Sequence, residues 1–209
     1  MKTWIIFGAG GKGVGAHIAD IGVAQQRPIV ALVRHQEAAK RLEKKGIKTV
    51  IGDAIDVKAV EAVLTLAGKE ADIISTMGGE NDYLAHRTVI DTAERMGFQR
   101  MLMVSSLGCG DSWVALSDRA KATFGQAVRE KSLAEVWLQT SRFDYAIVRP
   151  GGLLNGEETG KAQLYQYEET HGLVNRRDVA RLVTQLMDAD LLDDQVYAVV
   201  EPGLVPTKS

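Results

Sequence analysis

Thr3-Trp4-Ile5-Ile6-Phe7-Gly8-Ala9-Gly10-Gly11-Lys12-Gly13-Val14-Gly15-Ala16-His17-Ile18-Ala19 is the stretch that decides the fold. An apolar run stops in a cluster of glycines, and apolar residues at helical spacing begin directly after it. That is the order strand, tight turn, helix. Gly8, Gly10 and Gly13 fall at the G-x-G-x-x-G spacing of dinucleotide-binding turns. Glycine serves three needs there: a positive φ, close approach of backbone to a pyrophosphate, and tight helix–strand packing. The free amides and positive dipole end of the following helix then face the phosphates. A Walker A loop does not fit, because Gly13 stands where Ser or Thr would hold Mg²⁺ and Ile6 where the leading Gly belongs. On spacing alone, a purely structural glycine turn between two core elements remains the alternative.

Composition narrows the class. The 209 residues, 45% of them hydrophobic, suffice for a single α/β domain. A formal net charge of −2 lacks the basic footprint of nucleic-acid or membrane-surface binding. Cys109 is the only cysteine, so no internal disulfide forms, in agreement with a reducing compartment. No apolar segment approaches the ~20 residues of a membrane helix, and the first residues lack a basic stretch and cleavage site. A cytoplasmic protein is expected, with no nucleic-acid or membrane partner.

Strand and helix patterns alternate along the rest of the chain. Helices are expected to about Gln26, over 37–45 with Gly46 closing, over 57–66 capped by Asp56, and over 81–96 ending at Gly97. Two more lie within 118–140 and over 176–187, the last capped by Asn175 with Asp178 favourable in its first turn. Between them lie strands at 29–33, 48–51, 71–76, 100–104, 145–148 and 195–200. These strands are near-continuous Val/Ile/Leu runs, so both faces are buried and the sheet is expected to be mainly parallel. The polar, Gly-rich stretch from about 152 to 175 reads as a small substrate cap on a single domain spanning 1–209.

In such sheets ligands bind beyond the carboxyl ends of the strands. The residues ending the strands are the glycine turn, Arg34, Asp53, Thr76-Met77-Gly78-Gly79, Ser105-Ser106 and Pro150-Gly151-Gly152. Arg34 lies about 20 residues past the turn, where an acid would bind the ribose 2′-hydroxyl of NAD and an Arg suits the 2′-phosphate of NADP. Its alternative is a solvated loop arginine. Asp53 is placed to accept from the adenine amino group, or serves as a plain turn residue. Thr76, Met77 and Gly78 let backbone run close to the adenosine ribose, and Pro150-Gly151 leaves room beside the nicotinamide. Tyr165, Tyr167 and Trp113 lie where substrate loops sit, as substrate contacts or as packing. His17, His35, His86 and His171 show no metal-ligand spacing, so no metal is expected.

As a set, Ile6-Phe7-Gly8-Ala9-Gly10-Gly11, Leu32-Val33-Arg34, Gly52-Asp53, Val104-Ser105-Ser106-Leu107-Gly108, Tyr145 to Gly152 and Asn175-Arg176-Arg177-Asp178-Val179-Ala180 resemble the atypical short-chain dehydrogenase/reductases. The branch is the NAD(P)H-binding, NmrA-like and biliverdin/flavin-reductase-like one. Its usual turn is G-A-T-G-x-x-G. Here Gly10 stands at the Thr and Val14 at the last Gly, leaving Gly13 or Gly15 to take that place. The resemblance implies a doubly wound Rossmann core with helices on both faces. It also implies NADP(H) held by Gly8, Gly10, Gly11, Lys12, Gly13, Arg34 and Asp53, with substrate near Ser106.

The resemblance also exposes a gap. Catalytic short-chain dehydrogenases use Tyr-x-x-x-Lys, the Lys lowering the Tyr pKa so that it donates a proton near neutral pH. Lys131 matches the lysine, but Ala127 stands at the tyrosine. Lys131 then either binds the nicotinamide ribose or is an ordinary helical lysine. An acceptor that draws its proton from solvent, as a flavin or quinone does, needs no tyrosine. Ser106 would donate to the developing negative charge, unless it only caps backbone. Three functions follow in order: an NADPH-dependent reductase of a small planar or carbonyl acceptor; a non-catalytic NADP(H)-sensing protein with a protein partner; and an NAD-dependent sugar epimerase or dehydratase.

Overall fold

The computed structural model describes residues 1–205. Its elements in chain order are β1 (Trp4–Phe7), α1 (Val14–Ala24), β2 (Ile29–Val33), α2 (Gln36–Glu43), β3 (Lys48–Ile51), α3 (Val57–Ala67), β4 (Asp72–Ser75), α4 (Asp82–Arg95) and β5 (Arg100–Val104). A 3₁₀ turn (Gly110–Ala115) follows, then α5 (Asp118–Gln139), β6 (Asp144–Pro150), β7 (Gly152–Leu154), β8 (Gln163–Tyr165), β9 (Leu173–Asn175), α6 (Arg176–Met187) and β10 (Gln195–Val200). The main sheet has the order β3-β2-β1-β4-β5-β6-β10-β8, parallel except for β8, which runs antiparallel to β10.

Alternation along the buried strands feeds two cores. Trp4, Ile6, Ala31, Val33, Ala146 and Val148 point to the face covered by α1, α2 and α6. Ile5, Phe7, Val30, Leu32, Tyr145 and Ile147 point to the face covered by α3, α4 and α5. Helices on both faces of a mainly parallel sheet make the doubly wound Rossmann-type fold expected from the strand composition. Strand order reverses beside β1, where β2 and β4 flank it, and this crevice is where such sheets bind ligands.

Local punctuation largely follows the residues. Asp56 accepts from the Lys58 amide at 2.9 Å as an N-cap, and Gly97 takes φ +85° just past α4. Within the stretch 152–175, β7 and β9 form a parallel pair, and β8 extends the main sheet. Strands of three residues are too short for alternation to register. Asn175 does stand at the N-cap of α6, but its side chain makes no cap bond there and instead accepts from the Gly156 amide at 3.1 Å.

Candidate functional site

The glycine turn and the end of β4 are pressed together. Thr76 donates its amide to the Phe7 carbonyl at 2.8 Å, and Gly8 takes φ +101°. A Cβ on Gly8 would come within 2.4 Å of Thr76 Oγ1, and one on Gly15 would meet the same atom at 2.4 Å. Gly15 therefore takes the helix–strand packing role that the spacing assigned to Gly13 or Gly15. A Cβ on Gly13 would meet nothing within 4 Å, and one on Gly11 only the Gly13 amide nitrogen at 3.9 Å. The space in front of these two glycines is open, and the first amides of α1 have no partner within the helix. That is a cradle fit for a pyrophosphate. Arg41 of α2 ties the turn to the next helix, donating to the carbonyls of Gly10 (2.7 Å) and Gly11 (3.2 Å).

A cleft of about 760 Å³ runs from this turn across the crevice. Its wall brings together Gly8, Gly10, Gly11, Gly13, Arg34, Asp53, Thr76, Met77 and Gly78. Arg34 and Asp53 are exposed at its β2 and β3 side, and the Asp53 carboxylate accepts from the Ile55 amide at 3.2 Å, a turn bond. Lys12 is exposed beyond the wall. Pro150 ends β6, two strands over from β4, and Gly151 follows it; neither lines the cleft. Gly151 has a packing reason to be glycine, since a Cβ there would lie 2.3 Å from the Gly172 carbonyl oxygen.

Lys131 lies just behind Gly78, whose built Cβ would be 3.7 Å from its Nζ. The ammonium donates to the Met77 carbonyl at 2.8 Å and pairs with Asp82 Oδ2 at 2.7 Å. Asp82 is buried and also part of the cleft wall. Burial pushes its pKa up, but the contact with His86 and the Lys131 charge outweigh it and hold the carboxyl below its usual range. Ala127 is exposed on α5, one turn before Lys131. The importance of Asp82 was missed on the sequence; the Asp82/His86 spacing of four on one helix was the available signal.

The two serines after β5 diverge. Ser105 is buried and donates to Glu135 of α5. Ser106 is half-buried, lies outside the lining of the cleft, and donates to the Leu107 carbonyl at 3.0 Å. Glu135 also takes a forked bond from buried Arg149, at 3.0 Å from Nε and 2.7 Å from one terminal nitrogen. Arg149 holds Asp111 of the 3₁₀ turn at 2.5 Å as well. Burial opposes the Arg149 charge, yet these two carboxylates raise its pKa; in return Arg149 lowers that of Asp111. Cys109 is buried, and desolvation followed by the Glu135 charge pushes its thiol up to about 11. Tyr165 and Tyr167 border a second hollow of about 840 Å³ between α5 and β10, not the cleft. Trp113 packs on α5 at Gly125. No metal-binding cluster occurs among the described residues, and among them no helix is long and apolar enough to cross a membrane.

The NAD(P)H-binding family matches residues 8–190. A solved structure titled an anaerobillin reductase, ChuY of Escherichia coli O157:H7, is 58% identical with a TM-score of 0.97, covering 99% of this chain and 100% of that one. A Bacillus subtilis protein named an uncharacterized sugar epimerase, YhfK, is 27% identical over 96% of this chain and 94% of its own length. The NAD(P)H azoreductase of Xenophilus azovorans is 22% identical over 95% of this chain and 68% of its own length. The chain belongs to the NAD(P)H-binding family, as an NAD(P)H-dependent oxidoreductase of the NmrA-like and biliverdin-reductase-like branch of the atypical short-chain dehydrogenase/reductases.

Proposed function

We propose that the protein is an NADPH-dependent reductase of a planar, conjugated acceptor of the bilin type. The observation that carries this reading is the open glycine cradle of the cleft, with Arg34 at its adenosine end, in a chain 58% identical to an anaerobillin reductase. Gly8, Gly10, Gly11 and Gly13, with Lys12 beside them, take the pyrophosphate. Arg34 grips the 2′-phosphate, Asp53 the adenine amino group, and Thr76, Met77 and Gly78 border the adenosine ribose. Lys131 addresses the nicotinamide ribose, with Pro150 and Gly151 beside the ring.

A nicotinamide held by these residues would supply a hydride, which together with a proton from solvent would reduce the acceptor. Ser106 turns its hydroxyl from the Leu107 carbonyl to the acceptor and donates a hydrogen bond to the charge that develops there. A bilin is an extended conjugated chain of pyrroles, so the charge spreads over it. Orientation, not a tyrosine acid, is then the main demand on the protein. The cap formed by about 152–175 closes over the acceptor side of a single domain.

The test is a titration with both cofactors followed by turnover. Arg34→Ala is expected to weaken NADPH at least tenfold, the worth of one charge-assisted phosphate contact, and to leave NADH nearly unchanged. An equal loss for both, or for neither, removes the 2′-phosphate from Arg34. Cofactor binding with no oxidation of NADPH by bilins, flavins, quinones or azo dyes selects the sensing reading instead.

A further inference from the structure

We propose that Asp82 is the positioning residue for Lys131, holding its ammonium where a free donor addresses the nicotinamide-side ribose. The inference rests on the cofactor reading above and adds a residue to it. A lysine has three donors. One goes to Met77 O at 2.8 Å, and the ammonium is ion-paired with Asp82 Oδ2 at 2.7 Å. Donor capacity is left on a side chain that is only 15% exposed, 3.7 Å from a Cβ built on Gly78 of the cleft wall.

Asp82 is itself confined, its side chain only 2% exposed. While Oδ2 pairs with the lysine, Oδ1 stands 2.7 Å from His86 Nδ1 without accepting a hydrogen bond from it, because that nitrogen is directed to the Asp82 carbonyl oxygen at 2.9 Å. Nδ1 faces acceptors only, so it carries a proton. Nε2 of His86 is 2.8 Å from Ser75 Oγ, and both residues are fully buried. These distances are those of a hydrolytic triad, but a serine with no exposed surface meets no substrate. Nor does the chain conduct protons outward, because it ends inside the sheet at Ser75. What it does is wall in the carboxylate, leaving the Lys131 ion pair as its one close charged partner besides the imidazole.

The missing tyrosine explains why such an anchor is tolerated. Where Tyr-x-x-x-Lys operates, the lysine must act on the tyrosine as a net positive charge. A carboxylate 2.7 Å from the ammonium would cancel much of that field. With Ala127 in the tyrosine position no such demand exists, and the pair is free to serve geometry alone.

Binding of NADPH and of 2′,5′-ADP, a fragment lacking the nicotinamide ribose, distinguishes positioning from a general structural role. Asp82→Asn and Lys131→Met are each expected to weaken NADPH about tenfold and to leave 2′,5′-ADP unchanged. The double variant should be no worse than Lys131→Met alone. Asp82→Glu, which keeps the charge at a longer reach, should recover part of the loss. Equal weakening of both ligands, or additive single effects, overturns the proposal. So does wild-type NADPH affinity in Lys131→Met, which decides the matter even if the Asp82 variants do not fold. A wild-type protein that binds neither nicotinamide nucleotide instead refutes the cofactor reading beneath it.

Discussion

Gly8 and Gly13 occupy the same turn, and their spacing marks them as equivalent, yet the chain needs them for different reasons. Gly8 combines φ +101° with a Cβ position 2.4 Å from Thr76 Oγ1 and 2.9 Å from Thr76 backbone. Gly8→Ala is therefore expected to cost about 2–4 kcal/mol through backbone strain and collision, read as a fall in Tm of roughly 10 °C. Gly13 has an ordinary φ of −88° as N-cap of α1 and open space around it. Gly13→Ala should cost about 1 kcal/mol or less, while NADPH affinity falls about tenfold as a methyl enters the phosphate cradle. Unchanged affinity in that variant would place the pyrophosphate elsewhere. The motif told where the turn was; only the packing around each Cα tells which glycine belongs to the fold and which to the ligand.

One element depends on a partner far along the chain. Asp178 sits in the first turn of α6, where its type alone predicts a favourable charge on the helix dipole. Its side chain is instead fully buried and accepts from the amides of Thr159 and Gly160, each at 2.9 Å. Thr159 Oγ1 lies 2.7 Å from buried Glu201, and Asn175 takes the Gly156 amide. The 156–160 loop of the cap is thus tied to β9, α6 and the end of β10. Asp178→Asn should cost about 2 kcal/mol by leaving one buried amide facing a donor, and should speed hydrogen exchange at Thr159 and Gly160. If those two amides keep their protection, the tie is not what orders the loop. Local signals of this kind divide cleanly. Asp56 as a cap, Gly97 past α4 and the buried runs of β1 and β2 were legible because each is decided within a few residues. The bonds of Asp178 and Asn175 were not, because their partners lie 18–19 residues upstream, and the cap strands were not, because β7 and β8 pair with β9 and β10, further off still. The cleft wall was legible for the same reason as the helices, being made of residues that end strands; Asp82 was hidden because its lysine lies on another helix.

Across the whole molecule, pH bounds stability from both sides through groups that the fold titrates away from their unfolded values. Asp82 and Asp111 have folded pKa values below the usual carboxylate range. Their contribution is complete above the unfolded carboxylate pKa, about 4, and is lost as pH falls through the lower folded values. The alkaline side is set in part by Cys109, ordinary value 9.0 and raised to about 11 here. Between those two values the unfolded chain has released a proton that the folded chain still holds, so stability falls as pH rises. Tyr145 and Tyr197, also raised by burial and then by neighbouring carboxylates, act in the same direction at higher pH. The cysteine's share is isolated by comparison with Cys109→Ala, whose own cavity cost is independent of pH. The stability difference between the two proteins should be flat from pH 6 to 8 and then shrink by about 2 kcal/mol between pH 9 and 11. A thiol reagent at pH 8 should in parallel label the folded wild type no faster than it unfolds, since a buried thiol held protonated offers no thiolate to attack. Rapid labelling of the folded protein would show that Cys109 is open to solvent, and the alkaline slope assigned to it would have to come from another group.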